Sequence, residues 1–370
     1  MALAQMPSTY IKTFNHYVKQ FNFIGLDFFD ESTSYFTKNN VKLVIYFATL
    51  FPFVYVQFSY IAKVQAEEFM EAMRVVPIDI MLFLGIVKIV VALLKRSQIR
   101  DMFVEIGELW PREDVIGEHK RVLLKNFLSR MRVPLDLFLL YAYINLVIFE
   151  ALPLIISSYH MYHGENVYLF PFQPPSFLKY DNHFIYLTTY LWEFLTSIPC
   201  QMCVYLPFDL TMATMALNVS ALLRLLQEDL KSSISINNLN NINMHRTDTE
   251  SCELVKTIVH RHQQLLRLAD KLTDIFGLVI FLHLVFASVE ICFFGFLTVA
   301  YGGLAESIIN LVTAMSAVFT IFLVSLSGQT LCDTSSEVAD AAYESLWYAS
   351  DNNVRKFMLF IIIRAQNPSY

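Results

Sequence analysis

Three glutamates, Glu150, Glu193 and Glu290, sit several residues inside apolar runs. An ionised side chain at such a depth in a bilayer costs roughly 2.5–3.5 kcal/mol. Groups placed there either hydrogen-bond within a helical bundle or face a water-filled cleft that serves a ligand or ions. His283 and Asn310 admit the same two readings. Asp79, Asp136 and Asp209 lie near the ends of apolar runs, within reach of lipid headgroups, and default to structural duty. Lys88 is close enough to the end of its run for the ammonium to reach water along its own stem. His160, His163 and His183 invite a zinc reading, yet their spacing matches no zinc motif. Cys200 and Cys203 form a lone CxxC inside an apolar stretch and are read as packing residues, so no metal and no cofactor is expected. Neither HExxH nor GxSxG occurs, and no pair of acids is arranged for catalysis, which argues against an enzyme.

The elements that position these residues are long and apolar. Stretches near 41–62, 76–94, 133–158, 183–210, 275–300 and 303–327 could each cross a hydrocarbon core of roughly 30 Å. The chain is 55% hydrophobic and 16% charged, where a soluble domain carries about a quarter charged residues. Of its 27 Lys and Arg residues, only Lys63, Arg74, Lys88 and Lys179 lie outside residues 1–42, 95–132, 211–274 and 328–370. This alternation predicts a cytoplasmic N-terminus, two cytoplasmic basic loops and a cytoplasmic C-terminal segment. A G-protein-coupled architecture would need the opposite orientation. The net charge of -6 offers no basic surface for nucleic acid.

Within that frame, YIKTFNHYVKQFNFIGL reads as an amphipathic segment lying along the inner membrane surface. Pro77 is expected in the first turn of span two. RDMFVEIGELW and EHKRVLLKNFLSRMR read as helical extensions of spans two and three below the bilayer. Span four continues helically to about Leu230, and CELVKTIVHRHQQLLRLADKLTDIFG leads straight into span five. A short outer turn at Tyr301, Gly302 and Gly303 makes spans five and six antiparallel neighbours. The sequon at Asn218 falls at or below the inner face and is expected to stay unglycosylated. By depth, Phe83, Asn145, Phe149, Glu150, Tyr190 and Phe194 fall in the outer halves of spans two, three and four. That mixture of apolar surface and a few polar atoms suits a pocket for a small apolar molecule.

The C-terminal segment SLSGQTLCDTSSEVADAAYESLWYASDNNVRKFMLFIIIRAQNPSY narrows the class to a family. It resembles the signature of insect odorant receptors through Gly328–Gln329, Ser336, Ala341, Tyr343, Trp347–Tyr348, Arg355–Lys356 and Arg364-Ala365-Gln366 followed by Pro368. The resemblance implies an all-α polytopic bundle with a cytoplasmic N-terminus. It implies a ligand-gated, non-selective cation channel in the plasma membrane of olfactory sensory neurons, formed as a hetero-tetramer with an odorant co-receptor. The loop between spans four and five lacks the long insertion of a co-receptor, so the chain resembles a tuning subunit that takes a small volatile hydrophobic ligand. Three regions follow: 1–40 as an N-terminal cytoplasmic segment, 41–327 as six spans with cytoplasmic extensions among membrane lipid, and 328–370 as an anchor segment. Tyr343, Trp347, Tyr348, Arg364 and Gln366 are the anchor candidates for subunit association. Residues 337–349 would match the cytoplasmic half of a split seventh helix, whose pore-lining half would follow Tyr370. The remaining alternative is secondary transport, permitted by charges within spans, although no inverted repeat or pair of Gly/Pro-broken helices is evident.

Overall fold

A computed structural model of the chain describes residues 6–29, 38–62, 69–112, 114–165, 167–175, 177–180, 182–233, 244–300 and 303–367. Among these residues the secondary structure is helical, with no strand. In chain order the helices are α1 (Ser8–Phe21), α2 (Lys38–Ile61), α3 (Phe69–Leu94), α4 (Arg96–Leu109) and α5 (Glu118–Tyr162). They continue with α6 (His183–Cys200), α7 (Leu206–Ser233), α8 (Met244–Ala300), α9 (Leu304–Glu344) and α10 (Asn352–Ala365). A π-helical turn, Gln201–Tyr205, joins α6 to α7, and a 3-10 turn, Trp347–Ala349, precedes α10. Among the described residues, six helical segments are long and apolar enough to cross a membrane, within 39–61, 75–94, 118–162, 183–233, 252–300 and 307–344. The fold is therefore an all-α polytopic bundle, at one end of which, the basic end, α1, α4 and α10 pack against α7, α8 and α9.

Helix α7 is the axis of the basic end. From Leu206 to Leu223 every residue is buried, including Asp209, Thr211, Thr214, Asn218 and Ser220. α8 and α9 pack along it, and α10 docks on them through Val354, Met358, Ile361 and Ala365. Those four residues recur every three or four positions, so one face of α10 meets the core. Polar groups fix the register. Gln227 donates to the Thr334 carbonyl at 2.8 Å, Arg224 pairs with Glu337 at 2.7 Å, and Lys231 pairs with Glu344 at 2.7 Å.

Several sequence expectations are corrected. The apolar face of α1 does not lie on lipid: Tyr10, Phe14, Tyr17, Val18 and Phe21 are buried in protein. Tyr10 donates to the Phe103 carbonyl at 3.1 Å, and burial holds its phenol well above the usual range. The bundle offers this amphipathic face aromatic partners, Phe103 at 4.5 Å from Phe14 and Trp110 at 5.1 Å from Tyr10, which a bilayer interface would not order. Pro77 lies inside α3 rather than in its first turn. Residues 96–109 form a helix of their own, because Lys95, with φ -101° and ψ 18°, breaks the helical course after Leu94. Residues 337–344 continue span six as one helix through Glu344, so no separate element begins at 337. Tyr301, Gly302 and Pro368 lie outside the described residues.

Gly25, between α1 and α2, has φ +91°, and a Cβ there would meet the Asn39 carbonyl oxygen at 2.0 Å. Only glycine fits this turn.

A buried cavity and the ion pair beneath it

Spans two, three, four and six leave a cavity of about 90 Å³ between them. Span two contributes Ile78, Met81 and Leu82, and span three Phe138, Tyr141, Asn145 and Phe149. Span four adds Ser197, Cys200, Gln201 and Tyr205, while span six supplies three hydroxyls, Thr313, Ser316 and Thr320. The lining is thus apolar with a few fixed polar atoms, the usual make-up of a small-molecule site. Tyr141 spends its hydroxyl on the Val312 carbonyl at 2.8 Å, whereas Asn145 Oδ1 has no partner among the described residues.

The roof comes from a loop rather than a span. Phe172, 7% exposed, packs edge-on against Phe53 at 5.1 Å and Phe149 at 5.3 Å. Its loop is tied down from several sides. Gln57 donates to the Gln173 carbonyl at 2.9 Å, Ser157 accepts from the Leu169 amide at 2.8 Å, and Tyr186 donates to the Leu169 carbonyl at 3.0 Å. These bonds satisfy loop groups that would otherwise face an apolar bundle unpaired.

The floor is Tyr205, in the π-helical turn. Below it lies an ionic cluster drawn from three spans. Lys88 Nζ lies 3.3 Å from the Tyr205 ring centroid and 2.8 Å from Asp209 Oδ2. His283 stands between, with Nδ1 3.7 Å from Asp209 Oδ1 and Nε2 3.4 Å from the Tyr205 hydroxyl. Lys88 and Asp209 are 0% and 1% exposed. This corrects the expectation that Lys88 extends to water and that Asp209 reaches headgroups. Each finds an opposite charge before it finds solvent, which removes the reason to extend. Asp79 is also buried, with both oxygens lacking a partner among the described residues, so it does not reach the bilayer surface either.

The sequence-derived site residues divide into three groups. Asn145 and Phe149 line the cavity. Glu150 and Tyr190 stand behind it: Ser197, itself in the lining, donates to Glu150 Oε1 at 2.6 Å, and the Tyr190 hydroxyl donates to the Glu150 carbonyl. Phe83 and Phe194 are 42% and 40% exposed and outside the lining, with Phe83 edge-on to Phe286 at 5.7 Å. Glu193 is buried with neither oxygen partnered among the described residues, and Glu290 is buried with Oε1 unpartnered. Phe172, Ser197, Tyr205 and the hydroxyls of span six did not stand out in the sequence. Ser197 could have been found, since it follows Glu193 by four residues on the same helix face.

The anchor candidates lie together at the basic end. Tyr343 and Tyr348 are 70% and 61% exposed, Trp347 packs partly against the main core, and Arg364 and Gln366 are on the surface. His160, His163 and His183 do not converge. His163 lies edge-on to Tyr159 at 4.5 Å and His183 lies 3.0 Å from the Tyr168 hydroxyl; no metal-binding group occurs among the described residues. Cys200 and Cys203 are free, buried and part of the core.

Comparison with known proteins gives a consistent picture. The profile of the family described as 7tm Odorant receptor matches residues 68–370. Odorant receptor 49a of Drosophila melanogaster is 32% identical over 122 residues, 33% of this chain and 31% of that protein. Odorant receptor 85f of the same organism is 26% identical over 283 residues, 74% of this chain and 67% of that protein. The match thus spans about a third of the former relative's length. The solved structure of the insect olfactory receptor OR5 from Machilis hrabei in complex with eugenol superimposes with a TM-score of 0.76 at 13% identity. It covers 98% of this chain and 91% of that one, so the architecture is shared although the side chains are not. With the profile running from residue 68 to residue 370, this chain belongs to the seven-transmembrane odorant receptor family, a class of non-catalytic membrane receptors.

Proposed function

We propose that the chain is the odorant-binding tuning subunit of a ligand-gated, non-selective cation channel that it forms with an odorant co-receptor. The observation that carries this reading is the cavity among spans two, three, four and six, mainly apolar, with Asn145, Gln201, Ser197, the tyrosines Tyr141 and Tyr205 and the span-six hydroxyls as its polar groups. Its ligand is a small hydrophobic molecule with at most one or two polar atoms. A ligand larger than the cavity must displace Phe172 above or Tyr205 below. Ligand size is thereby coupled to the loop over the bundle and to the ion pair within it.

The positive-inside distribution of Lys and Arg supports a cytoplasmic basic end and a multi-pass protein in the plasma membrane of olfactory neurons. The exposed Tyr343 and Tyr348 support the basic end as the surface for other subunits of a hetero-tetramer. The test is expression of the full-length protein with a co-receptor, followed by whole-cell recording against a broad panel of volatiles. An odorant-evoked cation current that needs both subunits is expected. Absence of current despite verified surface expression, or saturable uptake that persists without the co-receptor, would overturn the proposal.

A further inference from the structure

At the basic end, α1, α5 and α7 enclose a second and much larger groove, of about 940 Å³. Its walls change character along their length. Leu135 and Leu139 of α5, with Leu217 of α7, form an apolar stretch in the part of span three that enters the bilayer. Below them the rim is polar and cationic. Lys12 of α1 and Lys125 of α5 face the groove from opposite walls, and neither has a carboxylate within ion-pairing distance among the described residues. Arg121 and Arg132 flank Lys125 on the same helix. They pair with Glu118 at 3.3 Å and Asp136 at 3.2 Å, in exposed contacts that exchange readily. Asp114 is the other carboxylate in the lining, so cations exceed anions there.

We infer that this groove is a binding site for an anionic phospholipid of the adjoining leaflet, its headgroup between Lys12 and Lys125 and one acyl chain along Leu135 and Leu139. Depth supports the assignment. At 1.5 Å per residue, Lys125 lies about 10 Å along the helix from Arg132, the last cation before the apolar run. The basic side chains therefore span the headgroup layer, while the leucines begin where the hydrocarbon begins. A zwitterionic lipid would satisfy the apolar wall, but its own ammonium offsets its phosphate and leaves the two lysines no net counter-charge. Basic pockets between helices at the membrane surface recognise acidic headgroups on this physical basis. Helix α1 is available to build the rim because its own apolar face is held by protein, which leaves Lys12 and His16 facing outward over the groove. The inference rests on span three crossing a bilayer and not on the odorant reading, so the two fail separately.

Native mass spectrometry of the purified full-length protein tests it, using mixed micelles of phosphatidylcholine with phosphatidylserine or phosphatidylinositol 4,5-bisphosphate. The parent protein is expected to retain the acidic lipid in preference to phosphatidylcholine. Lys12→Gln and Lys125→Gln should each weaken that preference about fivefold. Lys19→Gln, a change on α1 outside the lining, should leave it unaltered. Leu139→Trp fills the acyl end without altering charge and should also reduce retention, which separates a built site from diffuse attraction. Equal retention of acidic and zwitterionic lipids, or equal loss in all the lysine variants, would overturn the assignment. So would full occupancy by soluble inositol hexakisphosphate undiminished by Leu139→Trp, since that would indicate a free phosphate ligand.

Discussion

Lys88 of span two donates to Asp209 of span four at 2.8 Å, with both side chains out of contact with solvent. The same ammonium lies under the Tyr205 ring that floors the cavity. One residue thus holds together the ion pair of the bundle and the surface a ligand would touch.

Removing one partner of such a pair leaves the other charge buried, whereas removing both leaves none. Lys88→Met should therefore destabilise the protein by about 3–5 kcal/mol, and Lys88→Met with Asp209→Leu should recover most of that loss. Thermal unfolding of the detergent-purified variants, followed by size-exclusion profile, measures both. Additive effects of the two substitutions would show that the pair is not a unit.

The cavity residues should separate from those outside its lining. Phe149→Ala and Phe172→Ala each remove a ring from the cavity wall and should shift the half-maximal odorant concentration by about tenfold or more. Phe83→Ala and Phe194→Ala should leave the response unchanged at matched surface abundance, because both rings lie outside the lining. Concentration–response curves for currents recorded with the co-receptor decide the matter. A larger effect at Phe83 than at Phe149 would place the ligand elsewhere.

Tyr190 offers a finer comparison. Its hydroxyl holds the Glu150 carbonyl, and its ring lies 5.7 Å from Tyr186 and 6.2 Å from Phe170. Tyr190→Phe keeps the ring packing and should alter the odorant response less than Tyr190→Ala. The same recordings test this, and equal effects would assign the role to the hydroxyl alone.

Two glycines with positive φ make a matched pair. Gly25→Ala must force a Cβ against the Asn39 carbonyl and should cost more than the roughly 1–2 kcal/mol of a left-handed residue alone. Gly164, at φ +79°, has nothing within 4 Å of the added carbon, so Gly164→Ala carries only that conformational cost. Surface abundance and thermal midpoint should fall clearly for the first and modestly for the second.

Orientation is tested by epitope accessibility. Tags at residues 5 and 240 should be detected only after permeabilisation, and a tag beside Gly164 on intact cells. External exposure of residue 240 would reverse the orientation. Asn218 should remain unmodified in either case, because it is 1% exposed and its amide donates to the Thr13 hydroxyl at 3.0 Å.

What the chain declares by itself is periodic and local. Six apolar runs, the continuous course from CELVKTIVH into span five and the continuation of span four past Leu210 are all visible, because helices of this length are set by residues close in sequence. The C-terminal family motif is legible for the same reason, being contiguous. Position along each apolar run is legible too, and it singles out Asn145 and Phe149, which line the cavity. Rotation about each helix axis is not. Phe83 and Phe194 have suitable depth but face away from the cavity, and only packing against neighbouring helices determines that direction. Partners far apart in the chain are likewise decided by the tertiary structure. Lys88 and Asp209 are separated by 121 positions, and each looks like a residue that could extend to solvent until the bundle brings them together. Phe172 lies in an outer loop with no helical pattern, and it becomes the roof of the cavity because Gln57, Ser157 and Tyr186 hold that loop over the mouth of the bundle. A site assembled from four spans and a loop exists only once long-range hydrogen bonds and packing have fixed which faces meet.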